Sequence, residues 1–324
     1  MKYKIVFLSV LAALLCLALV SCASSFSDDK TQVAVIVKAT NSDFWHNVED
    51  GVKAAPIEYN VAVTFEGPES EEDVAAQNRL IEKAISDRVN AIVLSAISYD
   101  DSSALIEKAA RSGIRIVTID STADSSHISL FIGTDNYDAG ARAGMAAVQN
   151  FAPGDEIRVG LLNIYESTEN GRQREEGFRN YMENLPNAEI VASANVGSNT
   201  ISATAGALSL LYNHPEINVL VGFNEWMTLG VGNAIGQSGL TDKVEGIGFD
   251  TNLHCVEMVE TGELDALIAQ NPFAIGYLGV KAACDLVSDA FAYGDQKELY
   301  TDVTTVTRDN LYDSDIQKIL FRFQ

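Results

Sequence analysis

Cysteine and histidine are scarce in this chain, with four of each among 324 residues. Cys16 and Cys22 lie within or directly after an apolar N-terminal run, so only Cys255 and Cys284 remain in the rest of the chain. Two cysteines are too few for a disulfide scaffold, and neither the cysteines nor the scattered histidines have metal-site spacing. We expect two unpaired thiols, no metal and no cofactor.

Basic residues are scarce as well. The chain has 22 Lys and Arg against 45 Asp and Glu, a net charge of −23. Such an acidic protein is repelled by phosphate backbones and by anionic lipid surfaces, which excludes a nucleic-acid partner. The acidity itself indicates solubility rather than a specific cationic partner.

Common catalytic motifs are missing. There is no GxxxxGK[ST], HExxH or GxSxG pattern, which argues against nucleotide hydrolysis, zinc proteolysis and serine hydrolysis. A secreted carbohydrate-active enzyme stays an alternative, because the carboxylates of Asp120 and Asp250 could serve as an acid/base pair. Nothing in the sequence indicates that one of them is kept protonated, as a glycosidase requires. We therefore predict a protein that is not an enzyme.

Long apolar runs are absent after Val20, which leaves a single one at the N-terminus. Lys2 and Lys4 precede it, and Ile5 to Val20 is apolar except for Ser9. A plain transmembrane anchor is one interpretation, but 16 residues are short for a span, which needs about 20. The charged start and short apolar region are typical of a secretory signal.

The end of this run, Leu19-Val20-Ser21-Cys22, resembles a lipobox. We predict a lipoprotein signal peptide over residues 1–22, with Cys22 lipidated, and a small polar tether over residues 23–31. Cleavage without lipidation is the alternative. Loss of Lys2 and Lys4 would leave 20 basic against 45 acidic residues, a net charge of −25.

After the leader, short β-rich apolar runs alternate with stretches of helical periodicity. One alternation covers about residues 32–134, and a second begins near residue 135. This rhythm predicts two α/β units, each with a parallel sheet covered by helices on both faces. A strand over Ala266–Ala269 and a helix from Pro272 to about Ala292 are surplus to the second unit. We expect them to cross back, giving lobes of 32–134 plus 271–300 and of 135–270 plus 301–324.

Polar side chains follow many of these strands. Ligands of open parallel sheets bind at the carboxyl ends of strands, so we expect these side chains to form a site between the units. Carboxylate, amide and guanidinium groups each bridge neighbouring hydroxyls, and aromatic rings pack on the apolar face of a sugar, so the set suits a neutral polyol. The candidates are Phe44, Trp45, Asp120, Arg172, Asn224, Asp250 and Gln270.

Over residues 33–307 the chain resembles the ribose/galactose-type (type I) periplasmic sugar-binding proteins of ABC transporters. The order and spacing of seven segments carry this resemblance: 41–45, 118–120, 133–140, 172–178, 224–230, 248–250 and 268–272. It implies two Rossmann-like lobes joined by a three-stranded hinge and closing on one sugar. The aromatic clamp then falls on Phe44 and Trp45. The polar contacts fall on Ser42, Asp120, Arg172, Asn224, Asp250 and Gln270.

Two positions depart from the ribose-binding pattern. Ribose binders place Arg directly after the Asp, where this chain has Ser121, and they have a Phe in the second lobe where this chain has Ser198. Loss of a bidentate donor and of an aromatic wall should change which sugar fits. The resemblance therefore does not imply ribose.

These observations predict a monomeric, lipid-anchored, extracytoplasmic solute-binding protein, held at a bacterial cell surface or in a periplasm. It would capture a monosaccharide or similar polyol by hinge closure and deliver it to an ABC permease. A sugar-sensing partner of a membrane receptor is the alternative, because it would use the same closed lobes. A sugar-responsive repressor is disfavoured, since the N-terminus carries a signal instead of a basic helix-turn-helix.

Overall fold

The computed structural model describes residues 30–164, 168–290 and 293–320. The predicted signal peptide, most of the tether and Cys22 lie outside the described residues. Within the described part of the chain, no helix is both long and apolar enough to cross a membrane.

The first lobe contains a six-stranded sheet in the order β11-β5-β4-β3-β1-β2, with every neighbouring pair parallel. Four helices pack on this sheet. Its strands are β1 (Thr31–Ile36), β2 (Val61–Glu66), β3 (Ala91–Leu94), β4 (Arg115–Ile119), β5 (Leu130–Gly133) and β11 (Glu298–Tyr300). Its helices are α1 (Asp43–Tyr59), α2 (Val74–Ser86), α3 (Ser103–Arg111) and α9 (Pro272–Val287).

The second lobe repeats this plan, with the sheet order β12-β10-β9-β8-β6-β7. All pairs are parallel except β10 with β12. Its strands are β6 (Ile157–Ile164), β7 (Ala188–Val196), β8 (Val219–Gly222), β9 (Glu245–Phe249), β10 (Ala266–Ala269) and β12 (Thr304–Thr307). Its helices are α4 (Asn136–Ala147), α5 (Glu169–Glu183), α6 (Thr200–Asn213), α7 (Glu225–Ser238), α8 (Leu253–Thr261) and α10 (Ser314–Leu320).

Central strands are buried on both faces, which is why they appear in the sequence as continuous apolar runs. All four residues of β3, β8 and β10 are buried. Each sheet separates two hydrophobic clusters, one on either face. The predicted α/β architecture with two lobes and mostly parallel sheets is therefore confirmed.

The chain crosses between the sheets three times: after β5, after β10 and between β11 and β12. The second crossing brings α9 back against α1. Their contact is close enough to require glycine on both helices. A Cβ on Gly51 would lie 2.1 Å from the Phe273 carbonyl oxygen, and one on Gly276 would lie 2.2 Å from that of Val48. This packing fixes α1, which carries the aromatic residues of the cleft.

The return helix is shorter than predicted. It ends at Val287, and Asp289 has a positive φ of 53°. An L-residue in this left-handed conformation ends an α-helix. The helix therefore does not extend through residues 288–290, and residues 291 and 292 lie outside the described part of the chain.

The two thiols of the body are unpaired, as predicted. Cys255 lies buried in α8 of the second lobe, whereas Cys284 is partly exposed in α9 of the first lobe.

Candidate functional site

A cleft of about 300 Å³ lies between the carboxyl ends of the two sheets. Seven of the eight predicted ligand-binding residues line it: Ser42, Phe44, Trp45, Asp120, Asn224, Asp250 and Gln270. Six further residues that were not predicted also line it: Lys38, Glu71, Asn170, Arg174, Glu225 and Trp226.

Asp120 is the charged centre of the first lobe's side. It directly follows β4, has a positive φ of 58° and is 2% exposed. Its carboxylate accepts a hydrogen bond from Ser95 Oγ at 2.9 Å and forms an ion pair with Lys38 Nζ at 3.0 Å. Since an unpaired buried charge is costly, this pairing offsets the cost of burial and fixes the carboxylate at the cleft.

Asn170 of α5 reaches across from the second lobe to the same ion pair. Its Nδ2 donates to Asp120 Oδ1 at 3.0 Å, and its Oδ1 accepts from Lys38 Nζ at 3.4 Å. The cleft floor is therefore a three-residue polar network that includes both lobes.

The aromatic side of the cleft is built at the start of α1. Ser42 is the N-cap, and its Oγ accepts from the backbone N–H of Trp45 at 3.4 Å. The rings of Phe44 and Trp45 meet edge to face, with centroids 5.0 Å apart and planes at 89°. Trp45 is fully buried and its Nε1 donates to Glu71 Oε1 at 2.8 Å. Capping and packing together fix both rings.

Asp250 is the corresponding carboxylate of the second lobe. It follows β9, and its φ of 70° is again positive. Gln270 Nε2 donates to Asp250 Oδ1 at 2.6 Å, while Gln270 Oε1 accepts from Thr134 Oγ1 at 2.8 Å. Burial raises the pKa of Asp250, and the nearby Arg174 guanidinium opposes this. Gln270 and Thr134 lie at two of the three crossings, so this network connects the cleft to the hinge.

Arg174 of α5 is the buried cation of the second lobe, at 2% exposure. Its Nε donates to Asn136 Oδ1 at 2.8 Å and its Nη1 donates to the Phe223 carbonyl at 3.0 Å. The guanidinium lies 4.6 Å from the Phe249 ring centroid. Its Nη2 is buried without a hydrogen-bond partner among the described residues. A donor left unsatisfied at a cleft is available to a ligand oxygen.

The structure does not place Arg172 in the cleft. Its side chain is 61% exposed on the outside of α5, where it pairs with Glu169 at 2.6 Å and with Glu176 at 2.7 Å. Residues two apart on a helix point in nearly opposite directions, so Arg172 and Arg174 cannot share a face. The four-residue spacing of Asn170 and Arg174 is the signal that would have identified the cleft-facing side of α5.

Glu225 is a further acid that sequence reasoning missed. It is the first residue of α7, directly after Asn224, whose Oδ1 caps the helix by accepting from the Met227 N–H at 2.9 Å. The Glu225 carboxylate accepts from Asn252 Nδ2 at 2.7 Å and from the backbone N–H of Phe44, in the other lobe, at 3.2 Å. Burial raises the pKa of Glu225.

The sequence of this chain matches a known protein family. The family model described as "Periplasmic binding protein domain" matches residues 33–290. The chain belongs to this family. Together with the curated relatives below, the match identifies a type I periplasmic binding protein of the ribose/galactose type, as the sequence resemblance indicated.

Two curated relatives illustrate the relationship of this binding protein to others. The D-allose-binding periplasmic protein of Escherichia coli (strain K12) is 26% identical over 262 residues, covering 78% of this chain and 84% of the relative. The ribose import binding protein RbsB of Bacillus subtilis (strain 168) is 25% identical over 255 residues, covering 79% of this chain and 81% of the relative.

Solved structures give the same fold. A carbohydrate transporter solute binding protein from Agrobacterium radiobacter, in complex with D-arabinose, superposes with a TM-score of 0.86 at 27% identity, covering 90% of this chain and 99% of that one. An ABC transporter solute binding protein from Agrobacterium vitis with bound D-fucose gives a TM-score of 0.84 at 30% identity, covering 90% and 100%.

Proposed function

We propose that this periplasmic binding protein captures one monosaccharide, or a polyol of similar size, between its two lobes. The observation that carries the proposal is that Asp120 of one lobe lines the same cleft as Asp250 and Arg174 of the other, beside the buried Trp45. Carboxylate and guanidinium groups match the paired hydroxyls of a sugar, and an aromatic ring matches its C–H face. Two relatives named for D-allose and ribose, and two structural neighbours solved with bound D-arabinose and D-fucose, support this ligand class.

The polar residues that line the cleft are proposed as the ligand contacts. In addition to the seven predicted residues, Arg174 replaces Arg172 as the guanidinium donor. Lys38 supplies a cation to Asp120 in a chain where Ser121 stands in place of the expected Arg. The combination differs from the ribose-binding pattern, so we propose a sugar other than ribose.

Hinge closure is the proposed mechanism. A ligand that contacts Asp120 and Asp250 together interacts fully only with the closed state, and this difference in contacts shifts the equilibrium towards closure. Hydrogen bonds between the lobes, such as Asn170 to Asp120, mark where ligand hydroxyls would enter the network. We propose the lobe boundaries 32–134 plus 271–300 and 135–270 plus 301–324, with closure as a relative rotation of these two bodies.

Export, lipidation at Cys22 and delivery to an ABC permease complete the proposal. They are supported by the leader and lipobox in the sequence and by a relative named as an import binding protein. We propose a monomer that acts outside the cytoplasm without catalysing a reaction, because the relatives are named as binding proteins.

The direct test is calorimetric titration of the unlipidated body with a panel of pentoses, hexoses, nucleosides and polyols that includes D-allose, D-ribose, D-arabinose and D-fucose. We expect one or a few monosaccharides to bind with 1:1 stoichiometry. Binding only of a peptide, an amino acid or a metal would overturn the sugar assignment. Metabolic labelling with an alkyne fatty acid, compared between the full chain and Cys22→Ser, tests the anchor separately.

A further inference from the structure

Contacts between the two lobes occur at two depths. The deep ones involve residues that line the cleft floor, as in Asn170 to Asp120 and Glu225 to the Phe44 N–H, where a ligand would compete with them. A second group lies at Ser198 of the second lobe, which does not line the cleft. Because Ser198 does not line the cleft, a ligand would not compete with these outer contacts as it would with the deep ones.

The outer contacts come from the 67–73 loop, which joins β2 to α2 in the first lobe. Glu71 Oε2 accepts a hydrogen bond from Ser198 Oγ at 3.3 Å, and the carboxylate of Glu72 accepts one from the Ser198 backbone N–H. Two adjacent glutamates of the first lobe thus accept hydrogen bonds from the hydroxyl and the backbone N–H of Ser198 in the second lobe.

Glu71 also belongs to the cleft. Its Oε1 accepts from Trp45 Nε1 at 2.8 Å, and its side chain is part of the cleft lining. One carboxylate therefore joins the fully buried ring of the aromatic clamp to the opposite lobe. Glu71 thus links the contact between the lobes to the hydrogen bond of Trp45 Nε1.

The local backbone favours this contact. Ser198 precedes Asn199, the N-cap of the 14-residue helix α6, and the positive end of the helix dipole attracts carboxylates. Gly197 is close to the loop as well, since a Cβ there would lie 3.3 Å from Glu72 Oε1. The loop thus meets a backbone segment that is suited to accept its two negative charges.

We propose that Glu71, Glu72 and Ser198 form a latch across the cleft mouth, with Glu71 as a positioning residue for Trp45. The latch joins the two lobes with or without a ligand, so it stabilises the closed state and slows ligand release. Ser198 stands at the position where the ribose-binding pattern has an aromatic residue. The ligand part of this inference rests on the proposed sugar-binding function.

A first experiment needs no sugar. The chain has two tryptophans, so its indole N–H region in a ¹H–¹⁵N NMR spectrum contains two signals, assigned with Trp226→Phe. We expect Glu71→Ala to move the Trp45 signal upfield, since it loses a charged acceptor, and Ser198→Ala to move it less. Glu69→Ala is the matched control, because Glu69 is an exposed acid of the same loop. An unmoved Trp45 signal in Ser198→Ala would overturn the latch, because the shift in Glu71→Ala follows from the loss of the Trp45 hydrogen bond alone.

The second experiment measures association and dissociation of D-allose by stopped-flow tryptophan fluorescence. We expect Glu71→Ala to raise the dissociation rate about tenfold with the association rate changed less than about twofold. Glu71→Gln keeps an acceptor for Trp45 and should restore most of the wild-type rate. Ser198→Ala separates the latch from direct ligand contact, because Ser198 does not line the cleft.

The outcomes separate the latch from the sugar proposal. A dissociation rate that rises in Glu71→Ala but not in Ser198→Ala or Glu72→Ala would mean that Glu71 only touches the ligand, which contradicts the latch. Additive effects of Glu71→Ala and Ser198→Ala would contradict it as well, since contacting residues should couple. If the sugar panel shows no binding to the wild-type protein, the proposed function fails, while the NMR comparison still decides the latch.

Discussion

The two lobes share one sheet topology but furnish the cleft differently. The first lobe presents Asp120 with its charge already paired to Lys38, together with a rigid aromatic pair. The second presents Asp250, whose pKa burial raises, and Arg174, which keeps a buried donor without a partner among the described residues. The Asp120 charge on the first lobe's side is thus paired, whereas the second lobe's side keeps a guanidinium donor without a partner among the described residues. A ligand hydroxyl therefore stabilises the complex most where it forms hydrogen bonds with residues of the second lobe.

This asymmetry predicts that Arg174 is the most sensitive position. Arg174→Met should weaken sugar affinity by roughly a hundredfold or more and should destabilise the fold, since the Asn136 side chain and the Phe223 carbonyl lose their donor. Arg172→Met, on the outer face of the same helix, is the matched control and should change affinity by less than about twofold, because exposed ion pairs contribute little. Calorimetric titration checks both. Equal losses would refute the assignment of the two helix faces.

The two aspartates sharpen the comparison further. Asp120→Asn should cost more stability than Asp250→Asn, because it leaves the Lys38 ammonium buried without a counter-ion, a loss of about 3 kcal/mol. Asp250→Asn takes a charge from near the buried Arg174, but burial already disfavours the ionisation of this carboxylate, so its stability cost should be smaller. Urea denaturation at pH 7 measures both variants. A larger loss for Asp250→Asn would contradict the inequality of the lobes.

Glu225 tests the pH dependence of the second lobe's side. Burial raises its pKa in the folded state, so between the unfolded and the folded pKa the folded protein binds more protons than the unfolded chain. The contribution of this group to stability therefore falls as the pH rises through that window. Glu225→Gln should raise the melting temperature by a few degrees at pH 7 and by less at pH 4.5. A variant that is less stable at pH 7 would show that the charged carboxylate is favourable.

The smallest expected effect concerns the thiols. Cys255 in the second lobe is fully buried, and burial raises its pKa well above the ordinary value. In the first lobe, burial raises the pKa of Cys284 to about 11. We expect iodoacetamide at pH 8 to modify Cys284 slowly and Cys255 only after unfolding, as measured by peptide mass spectrometry. Cys284→Ser should abolish the slow native reaction. Faster modification of Cys255 in the folded protein would contradict its burial.

The fold was largely predictable because parallel strands buried on both faces leave continuous apolar runs. The edge strands β11 and β12 have a weaker signal in the sequence. β11 has three residues with one partly buried, and β12 pairs antiparallel at the sheet edge, so neither has the signal of a buried parallel strand.

The site was predictable where a residue directly follows a strand, as Asp120 and Asp250 do. The other residues obey different rules. Lys38 continues the apolar run of β1 and is buried only through its ion pair. Glu71 belongs to a loop whose path no periodicity predicts. Arg174 required the inner face of α5 to be distinguished from the outer one, and residue type alone could not decide between two arginines.

The central claim is that one small polyol is held by both lobes at once. The most direct measurement is a crystal structure of the protein with the monosaccharide that binds most tightly in the calorimetric panel. We predict ligand oxygens within hydrogen-bond distance of Asp120 on one lobe and of Asp250 or Arg174 on the other, with a ring face against Trp45 or Phe44. A sugar that contacts one lobe only, or that binds outside the cleft, would contradict the account.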